Sequence, residues 1–250
     1  MVPDPDAGPE AGAARAAELR ANLAAVRARI AAACAAAGRA ADDVTLIAVT
    51  KMFPASDVVA LSGLGIGDVG ENRDQEAAPK AAACAALGVS PTWHFVGQLQ
   101  ANKAASVVSY ADVVHSVDRP GLVSALSRRA LAVGRGQPGR ALRCLIQVSL
   151  DGTAGRGGAP PEQVPGLADA IAAAGGLALD GVMAVAPLGM PARPAFARLA
   201  EIADMVRAAH PAARAISAGM SGDLEDAIAE GATLVRIGTA LLGGRRAFVR

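Results

Sequence analysis

The feature that most constrains this chain is a regular alternation of short apolar runs, rich in β-branched residues, with longer Ala-rich segments. The runs fall at 44–50, 66–69, 93–96, 112–115, 142–149, 177–185, 214–217 and 233–237. Helical stretches separate them, around 55–62, 74–88, 101–109, 119–133, 161–174, 194–209 and 222–230, with a short last one from Thr239. Strands that are apolar nearly throughout are buried on both faces, as in a parallel sheet covered by helices. Eight such units within 250 residues predict an α/β fold, a single-domain (β/α)8 TIM barrel. A doubly wound sheet is the runner-up, but no G-x-G-x-x-G follows the first strand. Ahead of that strand, Leu19, Leu23, Val26 and Ile30 recur at helical spacing between Glu10 and Gly38. Residues 1–9, acidic and Pro-rich, read as a disordered tail, which leaves 10–250 for the barrel.

Composition removes several function classes. Hydrophobic residues make up 52% of the chain but aromatics only 2%, so Val, Leu, Ile and Ala must build the core and base-stacking platforms are lacking. A formal charge of +1 provides no basic field for nucleic acid or an anionic membrane. No uninterrupted apolar run approaches the ~18–20 residues of a spanning helix. The start has no cationic segment followed by an apolar one, so a secretory leader is not expected. Cys34, Cys84 and Cys144 are odd in number and far apart, which suits reduced core thiols better than disulfides or zinc. The expected location is the cytoplasm.

In a barrel, chemistry sits where strands end, because the following loops line one open face. Those positions carry Lys51, Glu71-Asn72, His94 with Gln98, His115 to Asp118, Gln147 and Ser149, Met183, then 217–221, and finally Arg236 with Gly238-Thr239. Only three of the 24 basic residues are lysines: Lys51, Lys80 and Lys103. Lys51 directly follows the first strand, where burial or a neighbouring cation would free its lone pair for Schiff-base chemistry. On position alone it also reads as a surface lysine. Lys80, in an Ala-rich helical stretch, reads as a solvated charge, and the position of Lys103 at a helix start leaves its role open. His94 and His115 are acid–base candidates or, more commonly for such positions, hydrogen-bonded strand-end histidines. His210 reads as a capping or surface residue, Arg135 to Arg143 as solvated, and the loop from Gly152 to Gly158 with Arg156 as mobile.

The last two strand–helix loops read as an anion site. Ser217-Ala218-Gly219-Met220-Ser221-Gly222-Asp223 and Arg236-Ile237-Gly238-Thr239 enter helices through small residues, leaving amides free beside hydroxyls. Barrels often hold phosphate at strands seven and eight. Ordinary glycine turn chemistry is the plainer alternative. A strand-one lysine facing a phosphate nest suggests pyridoxal phosphate or a phosphorylated carbonyl substrate.

Five motifs then occur together: Ala48-Val49-Thr50-Lys51; Gly70-Glu71-Asn72; Trp93-His94-Phe95-Val96-Gly97-Gln98-Leu99-Gln100-Ala101-Asn102-Lys103; Ser217-Ala218-Gly219-Met220-Ser221; and Val235-Arg236-Ile237-Gly238-Thr239. In order and spacing, from about residue 18 to 244, the chain resembles the pyridoxal phosphate homeostasis proteins, also called the YggS-type or proline synthetase co-transcribed family. The resemblance implies a barrel like the N-terminal domain of alanine racemase, holding pyridoxal 5'-phosphate. By the same resemblance Lys51 would carry the cofactor as a Schiff base, and Ser217, Gly219, Ser221, Gly238 and Thr239 would hold its phosphate. Arg236 would face the pyridine nitrogen, with Asn72 and His94 near the ring. Met52 stands where many members have Thr, Arg73 where many have Tyr, and Ala218 replaces a larger apolar residue; the lysine and the phosphate loops are intact.

An arginine facing the pyridine nitrogen can only donate, so that nitrogen should stay unprotonated and carbanions be less stabilised. Racemases of this class also use an arginine there, but add a β-rich second domain and a tyrosine from the partner subunit. Here the chain ends about seven residues after Gly243, and its only tyrosine is Tyr110. A site that holds the cofactor without a second base suits a carrier or buffer in intracellular vitamin B6 homeostasis, with apo-enzymes that use pyridoxal phosphate as possible recipients. A small amino-acid racemase is the alternative, and a Schiff-base aldolase the third. With no second domain to mediate dimerisation, a monomer is expected.

Overall fold

The computed structural model describes residues 9–152, 157–187 and 189–244. Eight parallel strands close into one barrel in chain order: β1 Thr45–Val49, β2 Asp68–Glu71, β3 Thr92–Phe95, β4 Val113–Val117, β5 Leu142–Gln147, β6 Leu177–Met183, β7 Ala215–Ser217 and β8 Leu234–Ile237. Closure is made by β8 on β1, with Ala48 opposite Ile237 and Thr45 opposite Leu234. The helices are α1 Pro9–Ala36, α2 Ala55–Gly63, α3 Asp74–Ala86, α4 Ala104–Tyr110, α5 Pro120–Ala132, α6 Val164–Ala173, α7 Ala192–Ala209, α8 Leu224–Ala229 and α9 Thr239–Leu242. The predicted barrel is the fold observed. Of the expected tail, residues 1–8 lie outside the described residues and Pro9 opens α1; Arg156 also lies outside them.

Two boundaries differ from expectation in ways that matter for the site. The second strand begins at Asp68 rather than Ile66, because Gly65 turns the chain at φ +83° and Ile66 packs outward under α1. The fourth strand runs on to Val117 with all five residues buried, so His115 lies mid-strand rather than at an end.

α1 precedes the barrel yet completes its wall. The closing helices are short, six residues in α8 and four in α9, too little to cover β8 and β1. The 28-residue α1 lies against them instead, and Leu19, Leu23, Val26, Ile30 and Cys34 share one cluster with Ala48, Leu224, Val235 and Leu241. Each fully buried apolar side chain of this stripe contributes about 1.5–3 kcal/mol of transfer free energy.

Strand alternation divides the core in two. The large clusters lie between sheet and helices, whereas Val113, Leu145 and Met183 form a small cluster of their own, joined by Ala215 and Leu234. Successive side chains point to opposite faces of a strand. His115, Ser217 and Arg236, each two residues from a member of that cluster, therefore also point into the barrel interior.

Candidate functional site

Lys51 sits in a tight turn leaving β1. The Phe53 amide donates to the Thr50 carbonyl at 3.0 Å, closing a β-turn whose third residue, Met52, lies at φ +69°. A left-handed methionine costs roughly 1–2 kcal/mol relative to the right-handed form. The Met52 amide donates to Glu76 Oε2 at 3.1 Å, which offsets part of that strain. Arg15 of α1 reaches over the Phe53 ring at 5.5 Å while pairing with Asp57 at 2.7 Å, tying α1 to this turn. The Lys51 side chain is exposed, and its amine has no partner among the described residues.

Directly behind the turn lies a buried ion pair. Lys80, expected to be a solvated charge, is only 8% exposed; Nζ lies 2.6 Å from Glu71 Oε1 and donates to the Thr50 carbonyl at 2.8 Å. The Thr50 hydroxyl donates to the same Glu71 oxygen at 2.6 Å. The expectation failed because helix periodicity places Lys80 beside Ala77, Ala81 and Cys84, on the face of α3 turned to the barrel. Burial raises the Glu71 carboxyl above the usual carboxylate range, opposed by Lys80 and the two hydrogen bonds it receives. Its second oxygen, Oε2, is buried without a partner among the described residues. Arg135, also read as solvated, instead donates to the Val108 and Ala111 carbonyls at the end of α4.

The β7 and β8 loops meet beside β1. Gly219, at φ +88°, lies where a β-carbon would come 2.7 Å from the Ala227 β-carbon, so glycine is required. This lets the Gly219 carbonyl accept from the Arg236 amide at 2.9 Å. Ser221 Oγ accepts from the Ala240 amide at 3.2 Å, joining the two loops. The amides of Ser221, Gly222, Gly238 and Thr239 donate to no group among the described residues. A β-carbon on Gly238 would sit 3.5 Å from the Val49 carbonyl oxygen, so this donor set adjoins the Lys51 turn. On the other side Asn72 leaves β2 and leans on Gly97 after β3, where a β-carbon would be 2.1 Å from the Asn72 carbonyl and 2.6 Å from its Oδ1.

Beneath the mouth, the interior polar residues form one chain. Arg236 Nη1 donates to Ser217 Oγ at 2.6 Å and Nη2 to the Ala184 carbonyl at 2.9 Å. Ser217 Oγ lies 2.9 Å from His115 Nδ1, His115 Nε2 lies 2.8 Å from His94 Nδ1, and His94 Nε2 lies 2.9 Å from Asp68 Oδ1. Ser217, expected with the phosphate loops, thus has its hydroxyl engaged inside the barrel. His94 is 2% exposed within β3 and bonded at both ring nitrogens, the hydrogen-bonded histidine of the two readings its position allowed. Burial, then the neighbouring His94 and Arg236, lowers the His115 pKa well below that of a free imidazole. Burial also lowers Arg236 to about 10, which leaves it charged at neutral pH. His210 caps α7 and bonds Asp169 at the surface. No cluster of His, Cys, Asp and Glu among the described residues could hold a metal, and no helix among them is long and apolar enough to cross a membrane.

The family model for the alanine racemase N-terminal domain matches residues 18–246. The pyridoxal phosphate homeostasis protein of Mycobacterium bovis is 46% identical over 222 residues, covering 84% of this chain and 86% of its own. This chain belongs to the pyridoxal phosphate homeostasis protein family. A solved structure, PipY of Synechococcus elongatus with PLP bound, superposes with a TM-score of 0.75 at 32% identity, over 90% of this chain and all of its own. Alanine racemase of Corynebacterium glutamicum has the same barrel, at a TM-score of 0.64 and 16% identity over 94% of this chain and 62% of that one.

The structure gives roles to residues for which the sequence reading had none or a different one. Met52 has no left-handed propensity, so its turn left no local signal. Gly97 and Lys80 gain their meaning from Asn72 and Glu71, each from a different strand–helix unit. Asp68 and His115 were legible in part. Their odd–even spacing from Gly70, Val113 and Val117 sets them on one face of their strands.

Proposed function

We propose that this chain holds pyridoxal 5'-phosphate at the barrel mouth and acts in the cytoplasm as a carrier or buffer for vitamin B6 homeostasis, with apo-enzymes as recipients. The observation that carries the reading is the donor set of the mouth. An unpartnered lysine amine, a cluster of unpaired amides and a buried arginine lie at three adjoining strand ends. That set fits an aldehyde, a phosphate and a ring nitrogen. Three buried free thiols suit a reducing compartment.

Lys51 supplies the amine for covalent attachment. The amides of Gly238 and Thr239, the Ser221 loop and Gly219 take the phosphate; Asn72 lies toward the ring, and His94 acts from below through His115. Ser217 serves the site by holding Arg236. When bound, the cofactor supplies an electron sink, and a charged arginine at its nitrogen leaves that sink weak. Two-base proton transfer would need a second group opposite Lys51. Tyr110, the only tyrosine, ends α4 with a buried hydroxyl, and both interior histidines are committed to the chain. These features favour the carrier over the racemase.

The test is the visible absorbance of purified protein with added pyridoxal phosphate, wild type beside Lys51→Ala. A yellow band in wild type and none in the variant is expected. A band of equal strength in both would move the attachment to another amine, and no band in either would overturn the reading.

A further inference from the structure

The interior chain joins five strands: Asp68 on β2, His94 on β3, His115 on β4, Ser217 on β7 and Arg236 on β8. Its four links measure 2.9, 2.8, 2.9 and 2.6 Å. The four inner members are 0–5% exposed, whereas the Asp68 side chain is 28% exposed at the start of its strand, the end remote from the mouth.

The donor inventory gives this chain a direction. A guanidinium only donates, so the Ser217 oxygen must accept from Arg236. A hydroxyl oxygen can accept twice, so the Asp68 end sets the other links: with its carboxylate accepting from His94 and both imidazoles neutral, the Ser217 hydrogen goes to an unprotonated His115 Nδ1. The His115 proton lies on Nε2 and goes to His94 Nδ1. The His94 proton lies on Nε2 and goes to the Asp68 carboxylate. Two neutral imidazoles and one carboxylate satisfy every link. Adding a proton to His94 reverses two links, leaves the Ser217 hydrogen without an acceptor among these groups, and puts a second cation in the buried interior that holds Arg236.

We propose that Asp68, His94 and His115 are positioning residues for Arg236. The carboxylate at the remote end sets both imidazole tautomers, so that Ser217 offers its oxygen to the guanidinium and keeps its hydrogen turned away. With Ser217 and the Ala184 carbonyl each holding one terminal nitrogen, Arg236 is fixed as a charged donor beneath the mouth. This rests on the reading that Arg236 faces the cofactor's ring nitrogen. The far end of the barrel then controls the protonation of that nitrogen, through five side chains of which only Arg236 meets the ring.

Two measurements test this. The first needs no cofactor: long-range proton–nitrogen NMR of the apo-protein at neutral pH. His94 and His115 are expected as neutral Nε2–H tautomers, and a proton on His115 Nδ1 would overturn the chain. The second uses pyridoxal phosphate labelled with nitrogen-15 in the ring, bound to wild type, His115→Phe, His115→Gln and Asp68→Asn. Wild type is expected at an unprotonated ring-nitrogen shift, and His115→Phe displaced toward the protonated range. His115→Gln, whose amide can accept from Ser217 and donate to His94, is expected to return to the wild-type position. Asp68→Asn should give an intermediate shift, since an amide accepts from His94 or donates to it. If His115→Phe does not fold, Asp68→Asn decides alone, because its side chain is partly exposed. Wild-type shifts in every folded variant would refute the proposal while leaving cofactor binding intact. If wild type takes up no pyridoxal phosphate, the functional reading falls, and this role for Arg236 falls with it.

Discussion

Replacing Lys80 with Met removes the charge that Glu71 faces while keeping an unbranched chain of similar length. The two charged atoms are 2.6 Å apart, with side-chain exposures of 7% and 0%. At that separation and an effective dielectric of ~20, their attraction is about 6 kcal/mol, part of it offset by taking both groups out of water. Removing one partner strands the other, and loss of a buried pair from one side destabilises by about 3–5 kcal/mol. Lys80→Met should therefore lose about that much unfolding free energy at pH 8, measured on apo-protein by urea titration. The pH dependence has a definite sign. Burial already raises the folded Glu71 pKa above the ordinary 4.5, and Lys80 opposes the rise, so the variant's value climbs further. A carboxyl raised by folding binds more protons folded than unfolded, so stability falls as pH rises from about 4.5 through the folded value. The variant's deficit should shrink as pH falls from 8 toward 5. Glu71→Gln with Lys80→Met removes both charges and should recover most of the loss. A single-variant deficit below about 1 kcal/mol, or one equal at pH 5 and pH 8, would refute the stranded-charge account.

Gly97→Ala places a β-carbon 2.1 Å from the Asn72 carbonyl, so the loop must shift. A stability loss of about 1–3 kcal/mol and weaker pyridoxal phosphate binding are expected by thermal melts and absorbance titration. Gly166→Ala, in α6 with open space around it, is the control and should leave binding unchanged while gaining up to about 1 kcal/mol of stability. The three thiols are buried, and burial pushes Cys144 up to about 12. An Ellman-type reagent at pH 8 should label none of them in native protein and all three in denaturant, and stoichiometric native labelling would contradict this packing.

Much of this protein was decided locally. The alternation of β-branched runs with Ala-rich segments determined the barrel, because strand and helix periods are properties of a few consecutive residues. The same holds for the α1 stripe from Leu19 to Cys34 and for Lys51 at the end of the first strand. Glycine-rich entries to the last two helices marked the β7 and β8 loops for the same reason.

Only the closed barrel decided which polar groups meet. Lys80 read as a surface charge until α3 packed it onto Glu71 and the Thr50 carbonyl. Ser217 read as a phosphate ligand until closure brought β4, β7 and β8 together and engaged its hydroxyl between His115 and Arg236. Asp68 and Arg236 are 168 residues apart in number, yet stand at the two ends of one hydrogen-bond chain. Side-chain direction along a strand follows from local stereochemistry, but a partner across a barrel depends on shear and register, which no short segment contains.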